Sequence, residues 1–145
     1  MYNLSVYWKE VVFMLRIFVE TSGKNYSEEI KGVNVQYISF DNICSSSESI
    51  NSFKLFIEQY LKCKDEIIIL TVDSRISKAF NTFKPLFNSE SIIVINSSLP
   101  MSALGTITRA IINDRNKSLK AIEQDVNRMS EMFNLSYFIL SHYHM

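Results

Sequence analysis

Glycine and proline are scarce in this chain, which has three glycines (Gly23, Gly32 and Gly105) and two prolines (Pro85 and Pro100) among 145 residues. The glycines stand too far apart to build the glycine-rich loop that cradles a nucleotide phosphate. The two cysteines, Cys44 and Cys63, form neither a CxxC pair nor a zinc pattern, so redox and structural-zinc roles drop out; with no secretory signal they read as reduced thiols. There is no excess of charge, because 15 Lys and Arg balance 15 Asp and Glu. Scattered lysines on a neutral chain leave no electrostatic footprint for nucleic acid. A long hydrophobic run is also missing. Val11 to Val19 is interrupted by Arg16 and falls far short of the roughly 20 residues a bilayer span requires. We therefore expect no membrane segment, no signal peptide and a cytoplasmic location.

What is present is an ordinary globular composition, 47% hydrophobic and 21% charged. A chain of this size buries roughly two thirds of its unfolded surface and needs no disulfide or metal to hold a core. Apolar runs of strand length, Leu15 to Val19, Val33 to Phe40, Ile67 to Val72, Ile92 to Ile95 and Tyr137 to Leu140, alternate with stretches of helical spacing, the pattern of βαβ units. Ile50, Phe53, Ile57, Tyr60 and Leu61 form one helical stripe. Leu119, Ile122, Val126, Met129 and Phe133, behind a cap at Ser118, form another. Near-continuous Ile, Leu and Val in the strands indicate burial on both faces. The expected fold class is α/β, a mainly parallel sheet with helices on both faces. Residues 1–13 fit this alternation poorly and read as an N-terminal extension, with residues 14–145 as the single domain.

In an open parallel sheet, ligands bind outside the carboxyl ends of the strands. Here every loop on that edge carries hydroxyls: Thr21 and Ser22 after the first strand; Ser45, Ser46 and Ser47 after the second; Ser74 and Ser77, with Asp73 and Arg75, after the third; Asn96, Ser97 and Ser98 after the fourth. Hydroxyls backed by helix N-terminal N–H groups can accept an oxyanion without many basic residues. Equally, such polar loops can do no more than cap the helices they open.

From Met14 onward the chain resembles the N-terminal domain of the DegV family of bacterial lipid-binding proteins. The segment from Arg16 through Val19, Glu20, Thr21, Ser22 and Gly23 to Glu29 is similar to that family's opening strand and Asp-Ser-Ser-x-Asp-Leu turn. Ser45, Ser46, Ser47, Glu48 and Ser49 resemble its Thr-Ser-x-Pro-Ser segment, and Thr71 to Phe80 its Ser-Ser-Gly-Leu-Ser-Gly-Thr-Tyr motif, with Ser74 and Ser77 on two of the serines. Val94, Ile95, Asn96 and Ser97, followed by Gly105, are similar to its Val-Ile-Asp-Ser and downstream glycine.

The resemblance implies a non-enzymatic fatty-acid carrier. The acyl carboxylate would be held by Ser74, Ser45, Ser46, Ser77, Ser22 and Ser97, with the tail buried and the lipid presented to a fatty acid kinase subunit. It implies no cofactor other than the bound fatty acid. The chain departs from the family pattern in ending before the second domain that helps enclose the ligand. It also carries Asp73 beside the supposed head group, where a like charge opposes binding unless Arg75 compensates, and Lys78 at a glycine position.

Catalytic readings are weaker. A phosphoryl-carrier role would need a His at the end of the first strand, where Thr21 and Ser22 stand, and the only histidines, His142 and His144, lie in the last four residues. Asp73 reads better as a helix cap than as a base for Ser74. The alternative to the carrier is a ligand-free interaction module that pairs with itself or takes a separate chain in place of the missing domain. Its contact surface would be drawn from Phe80, Phe83 and Phe87 or from Tyr7 to Phe13. The two differ in one structural respect: a carrier keeps an elongated apolar cavity beneath Ser74, and a module fills it.

Overall fold

The computed structural model describes the backbone of residues 14–143 and the side chains of residues 14–135. The extension 1–13, including the Tyr7 to Phe13 segment, lies outside the described residues, as do the side chains of His142 and His144.

Five strands form one sheet: β1 (Leu15–Glu20), β2 (Tyr26–Ile30), β3 (Val33–Ile38), β4 (Glu66–Thr71) and β5 (Ile92–Asn96), in the order β2-β3-β1-β4-β5. β1 is parallel to β3 and β4, β4 is parallel to β5, and only β2, on the edge, runs antiparallel to its neighbour. The helices are α1 (Phe40–Ile43), α2 (Ser47–Lys62), α3 (Ala79–Phe83), α4 (Leu104–Asn113) and α5 (Leu119–Tyr143), with short 3₁₀ turns at Lys84–Leu86 and Met101–Ala103. The α/β class with a mainly parallel sheet is as expected.

The central strands are apolar on both faces because both are covered. One side packs Ile17, Val19, Ile68, Leu70 and Ile95 against Leu104, Ile107 and Ile111 of α4 and Leu119, Ile122 and Val126 of α5. The other packs Phe18, Ile67, Ile69 and Val94 against Phe40, Phe53, Ile57, Ala79 and Phe83 of α1 to α3. On this second side the core is aromatic: Phe83 meets Phe40 edge-on at 5.1 Å and Phe53 at 4.9 Å between ring centroids. Phe83 is fully buried and so belongs to the core rather than to a partner surface, while Phe80 and Phe87 pack partly buried against the same cluster.

Three expectations are corrected. The first two parallel strands are not joined by a helix. The chain crosses to the edge, descends as β2 and returns through a tight turn at Lys31 and Gly32, whose φ values of 52° and 79° are those of a two-residue hairpin turn. Tyr137 to Leu140 is not a strand but the last part of α5; a short apolar run fits either period. The stripe on α5 is buried at Leu119, Ile122 and Val126, but its last member, Phe133, is 40% exposed.

The cap expected at Ser118 is present, and Ser46 caps α2 in the same way. Ser46 Oγ accepts the Ser49 N–H of α2 at 3.1 Å, and Ser118 Oγ accepts the Ala121 N–H of α5 at 3.2 Å.

On the β2 hairpin, Tyr26 and Tyr37 stack at 4.3 Å and Tyr37 Oη donates to Glu28 Oε1 at 3.2 Å. Burial, then the Glu28 charge and its hydrogen bond, push the Tyr37 phenol up to about 12. The folded state therefore favours the neutral phenol. Its contribution to stability is whole below the ordinary phenol value near 10 and is lost as pH rises toward 12. Absorbance titration should find one phenol ionising at about 12 that vanishes in Tyr37→Phe and moves partway back in Glu28→Gln; tyrosines that all ionise together near 10 would contradict the hairpin contacts.

Candidate functional site

The four parallel strands end on one rim, and β1 and β4 lie side by side at its centre. β1 closes on a charged residue, Glu20, which is 3% exposed. A carboxylate removed from water needs hydrogen-bond donors, and Glu20 has two. Val72 N–H, just past β4, donates to Oε1 at 2.9 Å, and Ser77 Oγ donates to Oε2 at 2.6 Å. Ser77 Oγ in turn accepts the Ala79 N–H at 3.1 Å. Ser77, expected to hold a ligand's carboxylate, is bonded to one that belongs to the chain. The signal for Glu20 was present in the sequence as a charge closing an otherwise apolar strand beside a hydroxyl-rich loop.

Around this centre Ser45, Ser46 and Ser97 are spent locally. Ser45 Oγ donates to the Asn42 carbonyl at 2.6 Å. Ser46 Oγ bonds both the N–H and the Oγ of Ser49, so it caps α2 and does not reach across the rim. Ser22 is exposed. Ser97 is fully buried: its Oγ accepts the Leu99 N–H at 3.1 Å, and its carbonyl accepts the hydroxyl of Ser130 on α5. Ser74 is half-buried and accepts from Asn96 Nδ2 at 2.9 Å, which ties the end of β4 to the end of β5. No hydrogen bond joins Ser22, Ser45 or Ser46 to Ser74 or Ser77 among the described residues. The six serines share an edge of the sheet, where Ser45, Ser46, Ser74, Ser77 and Ser97 are each hydrogen-bonded within the protein.

Asp73 is not a helix cap. Its carboxylate accepts the Arg75 N–H at 2.9 Å and takes the Arg75 guanidinium in a fork whose shortest contact is 2.5 Å. Those bonds hold the Asp73 carboxyl below its usual range. The compensation of Asp73 by Arg75 is therefore present, and it uses the one guanidinium next to Ser74. Cys44, half-buried beside α3, has its thiol pushed up by burial, so it is no activated nucleophile. Among the described residues no three His, Cys, Asp or Glu side chains converge on a metal position.

Next to Ser74 lies an open depression of about 380 Å³ lined by Ser74, Arg75, Ile76, Ser77, Lys78, Asn81 and Thr82. One lining residue in seven is an aliphatic one, Ile76, and it is itself 69% exposed. The space is a polar surface hollow. Of the residues near it in sequence, Val72 and Ala79 are buried side chains of the two cores. Set against family models, curated proteins and solved structures, the chain matches none of them.

Proposed function

We propose that this chain is an interaction module, a non-enzymatic α/β domain that acts by binding another polypeptide. The observation that carries the reading is the Glu20 carboxylate seated between Val72 N–H and the Ser77 hydroxyl. The donors that would greet a ligand's acid group at the centre of the rim are taken by an acid group of the chain. A second carboxylate brought there meets a like charge in a place of low dielectric, which costs several kcal/mol or more. An acyl tail gains about 0.8 kcal/mol for each buried CH₂, but only in an apolar slot, and the hollow beside Ser74 is polar and open.

The competing reading is the fatty-acid carrier that the DegV resemblance implies, presenting its lipid to a kinase subunit. One observation favours it: Ser74 accepts from Asn96 and keeps its own hydroxyl proton to donate toward the hollow. Native mass spectrometry of the purified protein separates the two. An interaction module flies at the mass of the polypeptide or a multiple of it. A stoichiometric acyl adduct, released on solvent extraction and lost in Ser74→Ala, would decide for the carrier.

A further inference from the structure

The geometry points to Ser77 as a covalent acyl acceptor, with Glu20 as the base that takes its proton. This goes beyond the interaction-module reading and is independent of it, since it concerns one bond-forming event per chain and no turnover. An activated hydroxyl is marked by a base within hydrogen-bond reach and by a third group that holds the base in place. Ser77 has both. Its Oγ donates to Glu20 Oε2 at 2.6 Å, and the other oxygen of that carboxylate, Oε1, is held by the Val72 N–H at 2.9 Å.

Other hydroxyls lack this arrangement. Those of Ser45, Thr71, Thr108 and Ser130 donate to backbone carbonyls, and that of Ser46 donates to another serine. Among the described residues, Ser77 is the one serine or threonine whose hydroxyl donates to a carboxylate. The base also stands on the correct side. Glu20 is buried and does not line the open hollow of about 380 Å³, whereas Ser77 is half-buried and does. A reagent entering the hollow therefore meets the hydroxyl before the carboxylate. A serine oxygen has two lone pairs; one accepts the Ala79 N–H, and the other is left for bond formation.

The hollow sets the class of donor. No acid lines it, while Arg75 and Lys78 bring positive charge and Ser74, Asn81 and Thr82 bring neutral donors, the kinds of group that stabilise an oxyanion forming on an attacked carbonyl. Ile76 is its one aliphatic lining residue, so the acyl group that fits is short. An acidic donor would meet the Glu20 charge behind Ser77, so the donor is a neutral activated ester. In the step, the bond from Ser77 Oγ to the acyl carbon forms and the bond from that carbon to the leaving oxygen breaks. The Ser77 proton passes to Glu20 Oε2 and from there to the leaving oxygen or to solvent. The loop is shaped in advance: the Asp73 carbonyl accepts the N–H groups of Ile76 at 2.8 Å and Ser77 at 3.2 Å, so the acceptor is already ordered when the donor arrives.

The probe is p-nitrophenyl acetate, added to the full chain at neutral pH. Nitrophenolate should be released in a burst of one equivalent per chain, and peptide mass spectrometry should find the acetyl group on Ser77. The site is located on the parent chain, so the assignment stands whatever the stability of the variants. Ser77→Ala should abolish the burst and Ser74→Ala should leave it. Glu20→Gln keeps an acceptor for the Val72 N–H but takes no proton, and should slow the burst by ~100-fold or more in a chain whose circular dichroism shows it folded. Acetyl groups spread over lysines and several serines, or a folded Glu20→Gln chain that reacts at the parental rate, would overturn the assignment. Either of those results leaves the association of the chain, and with it the interaction-module reading, where it stood.

Discussion

Replacing Glu20 with Ala should cost about 3 kcal/mol of folding free energy and lower the thermal midpoint by roughly 10 °C. The residue is exposed to solvent by only 3%, and its loss leaves the buried Val72 N–H without the acceptor it has at 2.9 Å and frees Ser77 Oγ from its 2.6 Å bond. An unpaired buried donor costs ~1–3 kcal/mol, and a hydrogen bond to a charged group contributes ~1.5–3 kcal/mol. Glu20→Gln keeps an acceptor for Val72 and should lose about half as much. Acetate added to the Glu20→Ala protein should raise its midpoint more than chloride at equal ionic strength, because the vacated seat is a carboxylate seat. Differential scanning calorimetry reads all three, and a Glu20→Ala protein that melts with the parent would mean that the rim does not depend on this group.

The second large effect lies in the aromatic core. Phe83→Ala should destabilise by ~3–5 kcal/mol, the usual range for truncating a fully buried phenylalanine. The ring is edge-on to Phe40 and tilted against Phe53, and Phe53 in turn meets Phe18 at 6.2 Å, so the loss opens one end of a connected cluster of six rings that also takes in Phe56 and Tyr60. Urea denaturation should show the midpoint falling with the slope unchanged, while the oligomeric state of the folded protein stays as it was. A Phe83→Ala protein of parental stability but altered association would return this residue to the surface role that its spacing alone allowed.

That pair of residues also marks how much could be read before any coordinates. β4 and β5 were legible as nearly unbroken apolar runs because they are buried on both faces; β1 reads so between Arg16 and Glu20, and β3, Val-Asn-Val-Gln-Tyr-Ile, shows instead the alternation of a strand with one buried face. α2 and the first half of α5 were legible from 3.6-residue stripes and from the serines that open them. β2 was not. Its sequence Tyr-Ser-Glu-Glu-Ile has two acids in five residues, since an edge strand facing water needs no apolar run and charge there discourages further pairing. The turn that creates it uses Lys31 in a left-handed conformation, where a non-glycine residue gives little warning. Tyr137 to Leu140 misled for the opposite reason. Aromatic and β-branched residues favour strands by composition, and with no charged residue from Met132 to Tyr143 the sequence there lacks the polar periodicity that would have declared a helix.

At the rim, chemistry was legible and partnership was not. The sequence placed alcohols on every loop of one edge, and the strands do end there. Which group each alcohol would bond depended on Glu20 turning inward between β1 and β4, on Asp73 closing on Arg75, and on Ser46 and Ser45 serving their own loop. Hydroxyls serve as caps and as ligands with the same atoms, so only their geometry separates the two.

The most direct test of a self-occupied rim is a titration of the amide resonances with a long-chain fatty acid, followed at Val72, Ser74 and Ser77. An interaction module predicts that these three amides hold their positions to the solubility limit of the lipid while the Glu20 contacts persist. Saturable shifts at all three, spreading to Ile95 and Leu99 of the core that Val72 joins, would contradict it and place an acyl chain inside the domain.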